Sequence, residues 1–586
     1  MQLHRAVSIL FSLALLGSLL ACGGGGGESP NASDPRVPAV DTIQTDPMVA
    51  SEPGASAPSD AAQVPLYRIY ERNITNTGTY ANKFTDVRLN VQYTAPSGRQ
   101  VSFIGFHDGD GQGGQRGDVW KIRFMPDELG TWNYAYTWSD GSAGGSGSFR
   151  AISAGAGRGV LRAYRDNPRW FAYNGTDPVF LKSYYVGAGG LTGVPIDWTA
   201  QNIYSKLVSR GYNHVQLNML PIGWTGQKPA DAPADHISKP LWRETPRVQN
   251  LDVWKRLEQH VHWLNERNVG INFFMGLDPK PSGSPDQYFA LERFTSMSAA
   301  DQSFYISYIA ARLAPYANIA GWNYTWETDG FSGEDRLMEL FAQHDPWNHL
   351  GTYHDEAPAT NNFDNAKFGF AGIENHEYFG NSGGNPARDS ASHYQSTIDS
   401  YRNKPVYMVE GNGLWRACWA REDAEQSITR AAWAVTLAGG SFTWQDTPDC
   451  DFGDPASDIF TWPASNPMVN RVGALYQVMT QDTAFHRMTP HNELLGDCWA
   501  TFDRNGTVPS SPCFALAEPG KQYVVYKENG GTFSLSIAAG SYTATWIDTR
   551  AGTRQPANGG TVDGAASVKF TAPSTSSDWV LLLIAG

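Results

Sequence analysis

The sequence predicts a multidomain α/β plus all-β protein, with a central (β/α)8 TIM-type barrel flanked by N-terminal and C-terminal β-sandwich domains. Three observations predict it. Between residues 159 and 480, short apolar runs alternate with longer amphipathic segments about eight times. On either side, the pattern changes to alternating apolar and polar residues in short strands broken by Gly, Pro and Asp. A chain of 586 residues also has room for about three or four domains.

The first element is an export signal, residues 1–21. Arg5 precedes an apolar run from Ala6 to Leu20, too short to span a bilayer stably. The run ends in Leu19-Leu20-Ala21-Cys22, which resembles the lipobox of bacterial lipoproteins. That resemblance implies cleavage before Cys22 and lipidation of its thiol and new amino terminus. Gly23 stands after the Cys where an Asp would signal retention, which implies sorting to the outer membrane of a Gram-negative cell, on its periplasmic or surface face. Residues 22–63 read as the lipidated Cys and a flexible linker rich in Gly, Pro, Ala and Ser, a tether of about 35 Å r.m.s.. Gly23 to Gly27 is no phosphate loop, because no strand precedes it and no Lys-Ser or Lys-Thr follows.

Residues 64–152 carry alternating strands such as Val87 to Tyr93, Trp120 to Phe124 and Trp132 to Tyr136, an N-terminal β-sandwich. Its loop Asp108-Gly109-Asp110-Gly111 lacks the Glu that an EF-hand needs at its twelfth position, where Val119 stands, and reads as a plain turn. In the barrel, 159–480, the candidate strands are Val179 to Tyr184, His214 to Met219, Gly270 to Gly276, Ile319 to Thr325, Leu350 to His354, Phe368 to Ile373, Pro405 to Glu410 and Ser441 to Trp444. The clearest helix runs from Asp252 to Asn268, with Trp254, Leu257, Val261 and Leu264 on one face, Asn250 as cap and Gly270 as stop. An open doubly wound sheet would carry a Gly-rich first turn, and no strand here ends in one. Residues 482–586 return to alternation in Gln522 to Tyr526, Thr532 to Ser536, Thr543 to Trp546 and Trp579 to Leu583, with turns at Gly530-Gly531 and Gly559-Gly560. This is the C-terminal β-sandwich.

Composition narrows the function. Charged residues make up 17% of the chain and aromatics 12%, which excludes a disordered chain. A net charge of −14 argues against nucleic acid, whose phosphates call for clustered Lys and Arg. Cys418, Cys450, Cys498 and Cys513 allow three disulfide pairings; proximity favours Cys418 with Cys450 and Cys498 with Cys513. No C-x-x-C or H-E-x-x-H spacing appears, so neither a metal nor another cofactor is expected.

In a barrel, catalytic groups gather at the C-terminal ends of strands. Glu327 closes the fourth apolar run and Glu410 the seventh. Two carboxylates there suit glycoside hydrolysis, one as acid and the other as nucleophile or base. The other mouths offer Tyr184, Asn218, Trp224, Asp278, Trp326, His354, His376, Tyr378, Trp415 and Trp444. Sugars need such a mixture, since hydroxyls pair with polar groups while C–H faces pack on aromatic planes.

Phe103 to Asp110 followed by Trp120 to Trp132 resembles the β-sandwich module that precedes apiosidase-like barrels, and His344-Asp345-Pro346-Trp347-Asn348-His349 resembles a segment of that same family. Tyr523-Val524-Val525-Tyr526, Trp546-Ile547-Asp548 and Asp578-Trp579-Val580 resemble a C-terminal module of the collagen-binding type. The resemblance implies a glycoside hydrolase with Glu327 as acid/base, Glu410 as nucleophile, Tyr378 orienting the nucleophile and Trp444 flooring the sugar site. The family often presents an Asp after a Gly-Gly pair at strand four, whereas Trp326-Glu327 stands here. The expected protein is thus a lipid-anchored, retaining glycosidase of extracellular polysaccharide or oligosaccharide, touching the membrane only through its anchor. Its carboxyl groups are expected about 5 to 5.5 Å apart. The competing class is a surface lipoprotein that binds glycan or matrix without cutting it.

Overall fold

The computed structural model describes residues 62–186, 191–219, 233–275 apart from 238 and 244, 294, 297–326, 334–354, 368–374, 403–410, 421–444, 467–498 and 512–586. Cys22, Cys418 and Cys450, together with the signal and most of the linker, lie outside them.

Eight parallel strands form the centre: Ser183–Tyr185, His214–Asn218, Gly270–Phe274, Ile319–Trp326, Gly351–His354, Ala371–Glu374, Val406–Glu410 and Ser441–Trp444. Numbered one to eight along the chain, they lie in the order five-four-three-two-one-eight-seven-six. The seam between five and six is bridged by Gly369 N–H to the Gly351 carbonyl (3.0 Å) and Gly372 N–H to Thr352 Oγ1 (2.8 Å). The sheet is a nearly closed barrel, and all eight expected strands are present. Strand one begins later than expected, because Asp177–Val179 joins Phe171–Tyr173 and Leu161–Ala163 in a separate three-stranded sheet. That sheet sets Leu161, Phe171, Tyr173 and Val179 against Ala320, Leu350 and Phe370 at the starts of strands four to six.

The Leu251–Glu266 helix buries Val253, Trp254, Leu257, Val261 and Leu264, the stripe that the spacing predicts. Its ends differ from expectation. Asn250 occupies the cap position, but its amide donates to the Pro240 and Trp242 carbonyls instead of capping. The stop is Asn268, at φ 53°, while Gly270 opens strand three. Asn tolerates that left-handed conformation because its short side chain can bond locally.

In the N-terminal region a five-stranded sheet faces a three-stranded one. Tyr93 stacks on Phe124 at 4.0 Å and Tyr70 on Phe149 at 4.2 Å across the gap. In the C-terminal region six antiparallel strands face three, with Trp546 edge-on to Phe533 and Phe570 between the sheets. Gly559 and Gly560 make no turn there. They lie inside the Arg554–Asp563 strand at φ 82° and 94°, and the pairing register shifts beside them. Cys498 and Cys513 form the expected disulfide, with Cα atoms 5.6 Å apart.

Buried arginines fasten both sandwiches to the barrel. Glu258, on the Leu251–Glu266 helix, accepts from Arg123 of the N-terminal sandwich at 3.0 Å and from Arg312 of the Ala299–Leu313 helix at 2.6 Å. Arg312 also pairs with Asp108 (2.8 Å), and Lys121 joins Asp108 to Glu71, each at 3.1 Å. The loop expected to be a plain turn therefore turns at Asp108 and also carries an ion pair. At the other end Arg430, on the Arg421–Leu437 helix, grips Asp578 with two hydrogen bonds of 2.8 and 2.9 Å and Glu528 at 2.9 Å.

The carboxyl of Glu258 is held down to about 2: burial pushes it up, but Arg123 and Arg312 outweigh that. Because this lies below its free-chain value of 4.5, the carboxylate's contribution to stability is complete above that pH and is lost as pH falls through about 2. Glu258→Gln removes the carboxylate that the two guanidinium groups share, leaving Arg123 with Glu71 and Arg312 with Asp108, and is expected to lower unfolding free energy by about 1.5–3 kcal/mol at pH 7 in urea titrations. A loss below about 1 kcal/mol would show that the cluster does not hold the sandwich.

Candidate active site

Side-chain parity along the barrel strands decides what reaches the interior. In strand two Val215 and Leu217 join the helix-side core, leaving His214, Gln216 and Asn218 on the inner row. Ser183 Oγ lies 2.8 Å from His214 Nδ1 and 2.7 Å from Tyr407 Oη, with Thr443 Oγ1 at 3.5 Å, so strands one, two, seven and eight meet there. Asn272 Nδ2 donates to Gln216 Oε1 at 3.1 Å. In strand four Trp322 and Tyr324 point to the helices, leaving Gly321 and Asn323 inside. A Cβ on Gly321 would stand 2.7 Å from the Phe370 ring and 3.1 Å from Asn272 Oδ1, so only glycine fits.

The interior is thus a belt of neutral polar groups. Burial pulls the His214 imidazole down to about 3, so it stays uncharged at ordinary pH. Both amide atoms of Asn323, Asn272 Oδ1 and Gln216 Nε2 are buried without a hydrogen-bond partner among the described residues. An orphaned buried polar group costs about 1–3 kcal/mol, an unusual density of unmet demand for a plain core.

Asn218 stands at the C-terminal end of the inner row of strand two, as a site residue should. The backbones of Trp326 and His354 end strands four and five and are register partners; Glu410 ends strand seven opposite Glu374. Around the ring, strands four and seven are separated by five and six on one side and by three, two, one and eight on the other. Glu327, Trp224, Asp278, His376, Tyr378 and Trp415 lie outside the described residues, as do the side chains of Glu410, Trp326 and His354.

Two expectations need correction. Tyr184 points to the helical layer, edge-on to Tyr212 at 5.7 Å, because Ser183 beside it holds the inner position. Trp444 does likewise: Thr443 takes the inner position, and the indole of Trp444, 2% exposed, donates to Tyr476 Oη on the Pro467–Gln477 helix at 3.2 Å. Among the described contacts, both rings pack on the helical side of the barrel. His214, Gln216, Asn272 and Asn323 were missed as interior groups; the signal was polar residues at every second position of an apolar strand.

Comparison with solved structures agrees with this architecture. A candidate glycoside hydrolase from Bacteroides vulgatus ATCC 8482 superposes with a TM-score of 0.63 at 17% identity, over 90% of this chain and 100% of its own. A family 5 glycoside hydrolase from the same organism gives a TM-score of 0.52 at 17% identity, over 73% of this chain and 94% of its own. At such identities the likeness shows the fold. Residues 63–139 match a domain of unknown function, DUF5060. No curated protein matches the chain.

Trp444→Phe removes the donor to Tyr476 and is expected to lower stability by about 1–2 kcal/mol in thermal or urea unfolding. Its KM for any glycan cleaved should stay within about twofold of the unaltered protein, whereas loss of a ring that stacks on sugar should raise it about tenfold.

Proposed function

We propose that the protein is a glycoside hydrolase that cleaves O-glycosidic bonds of extracellular polysaccharide or its fragments by a retaining mechanism, with Glu327 as acid/base and Glu410 as nucleophile. One observation carries the reading. Strand four ends at Trp326, which Glu327 follows in the sequence, and strand seven ends at Glu410, which supports assigning both carboxylates to the end of the barrel where this fold assembles its active sites. The belt beneath them offers neutral amides, which suit hydroxyl-bearing substrates.

In the first step Glu410 attacks the anomeric carbon while Glu327 gives its proton to the departing oxygen, leaving a glycosyl ester on Glu410. In the second step Glu327 takes a proton from water as that water attacks the same carbon, and Glu410 leaves as carboxylate. The two inversions restore the original anomeric configuration. Cys22 is proposed to anchor the enzyme in the outer membrane, with the linker letting the barrel reach a polymer. The apiosidase-like resemblance and the collagen-binding-type module belong to this proposal, with apiose one candidate among the sugars.

Glu327→Gln and Glu410→Gln are each expected to lower kcat by about 10²–10⁴-fold on a glycan found by reducing-sugar release, with circular dichroism unchanged. Proton NMR of the first product should show the substrate's own anomer. Near-normal rates in Glu327→Gln would overturn the acid/base assignment, and the opposite anomer would mean inversion.

A further inference from the structure

The two ends of the barrel differ in charge. In the seven-residue stretches that start at the last residue of each strand, from Tyr185 of strand one to Trp444 of strand eight, ten residues are Asp or Glu and two, Lys280 and Arg416, are basic. In the matching stretches that finish at the first residue of each strand, three residues are acids and six are Lys or Arg. The whole chain holds 58 acids to 44 bases, so its average acidity accounts for neither end.

The count is of the sequence that follows each strand, and it supports assigning a negative field to the end of the barrel where Glu327 and Glu410 are proposed to act. The acids are spread around the ring, closing or following strands three to eight. Glu374 and Glu410 end strands six and seven as register partners, and neighbouring strands lie about 4.8 Å apart, so two acidic residues stand side by side along the backbone. Each of the two cations shares its stretch with an acid, Lys280 with Asp278 and Arg416 with Glu410.

The interior beneath contributes a second observation. None of the eight strands contains Lys or Arg. Asn323, on the inner row of strand four, is 0% exposed, and both of its amide atoms lack a partner among the described residues. Strand four thus carries an unmet neutral donor and acceptor four residues before Glu327. A carboxylate brought there would give up water without meeting a cation, which is costly, whereas a hydroxyl can serve as both acceptor and donor. A cleft lined by one sign of charge also focuses its field and repels a ligand of the same sign before contact.

We propose that the barrel mouth selects its glycan by charge, accepting neutral and amine-bearing sugars and excluding those that carry carboxylate or sulfate. That a glycan is cleaved there rests on the glycoside hydrolase reading; the charge preference rests on the residues that close and follow the strands. An acidic polysaccharide becomes a substrate only once its carboxyl groups are esterified or reduced.

The test has a cleavage arm and a binding arm. In a reducing-sugar screen each acidic polysaccharide is run beside its carboxyl-reduced form, which keeps the linkages and loses the charge, with neutral polysaccharides alongside. Cleavage should be confined to uncharged chains or run about tenfold or more faster on the reduced member of a pair, and added NaCl should narrow that gap by screening. An acidic chain cut as fast as its reduced form would overturn the proposal. Binding is read by isothermal titration of the full chain carrying Glu327→Gln with tetramers of glucosamine and of galacturonic acid. The glucosamine tetramer should bind about tenfold or more tightly, and adding Asp355→Asn, Glu356→Gln, Asp446→Asn and Asp449→Asn should remove most of that preference with circular dichroism unchanged. Either pair of these substitutions, made separately, should remove about threefold. A preference that survives them would lie elsewhere on an acidic protein and would overturn the proposal, as would tighter binding of the galacturonate. No cleavage of any glycan, beside a preference that the four substitutions abolish, would remove the hydrolase reading and leave the charge selection in place.

Discussion

Glu258 is shared by two buried guanidinium groups, one from a β-sandwich and one from a barrel helix, and the assembly depends on that sharing. Arg123 also donates to the Arg312 carbonyl and lies over the Phe106 and Tyr316 rings at 5.2 and 5.3 Å. Buried ion pairs add little net stability over apolar packing, but removing one partner is expensive. What such a cluster enforces is a single arrangement: any other docking angle would strand a charge. Arg430 with Asp578 and Glu528 imposes the same condition at the C-terminal sandwich. Both clusters engage helices on the outside of the barrel, which keeps them off the strand ends where the proposed chemistry belongs.

The motifs behind the family resemblance take on a physical meaning from these contacts. Asp345 accepts hydrogen bonds from the Trp322 indole and from the backbone and ring of His349, and so fixes the turn after the Glu334–His344 helix. That turn presents Trp347, whose indole donates to the Met125 carbonyl and packs edge-on against Phe103 at 5.2 Å. Asp578 receives Arg430, and Tyr526 donates to Asp578 at 2.8 Å. These motif residues join domains. They report a shared assembly, which is why they carry no statement about the sugar, and why the chemistry has to be argued from the barrel mouth.

The barrel was legible because each parallel strand is buried on both faces and reads as an apolar run between amphipathic helices. The same double burial hid parity. An aromatic residue at a strand end can face the helices or the mouth, and hydropathy is the same for both, so the sequence of Tyr184 and Trp444 fits either side. Polar neighbours break the tie: Ser183 and Thr443 take the inner positions and turn the aromatics out. In strand two, His214, Gln216 and Asn218 made the inner row readable in the sequence itself. The Arg123–Glu258–Arg312 cluster was not legible, since its members stand 135 and 54 residues apart and only the fold brings them together.

The neutral belt bears on how the two proposed carboxylates can be tuned. Among the described interior residues none carries a charge at neutral pH, because His214 is held uncharged by burial. A buried cation beneath the mouth would stabilise both carboxylates as anions and leave no proton to donate. With amides and hydroxyls there instead, no charge among the described interior residues favours the anionic form of either carboxylate. In the proposed retaining geometry, with the carboxyl groups about 5 Å apart, ionisation of Glu410 would raise the affinity of Glu327 for a proton, and formation of the glycosyl ester would remove that charge and lower it again. The same group can then donate a proton in the first step and accept one in the second, and the interior contributes by staying neutral.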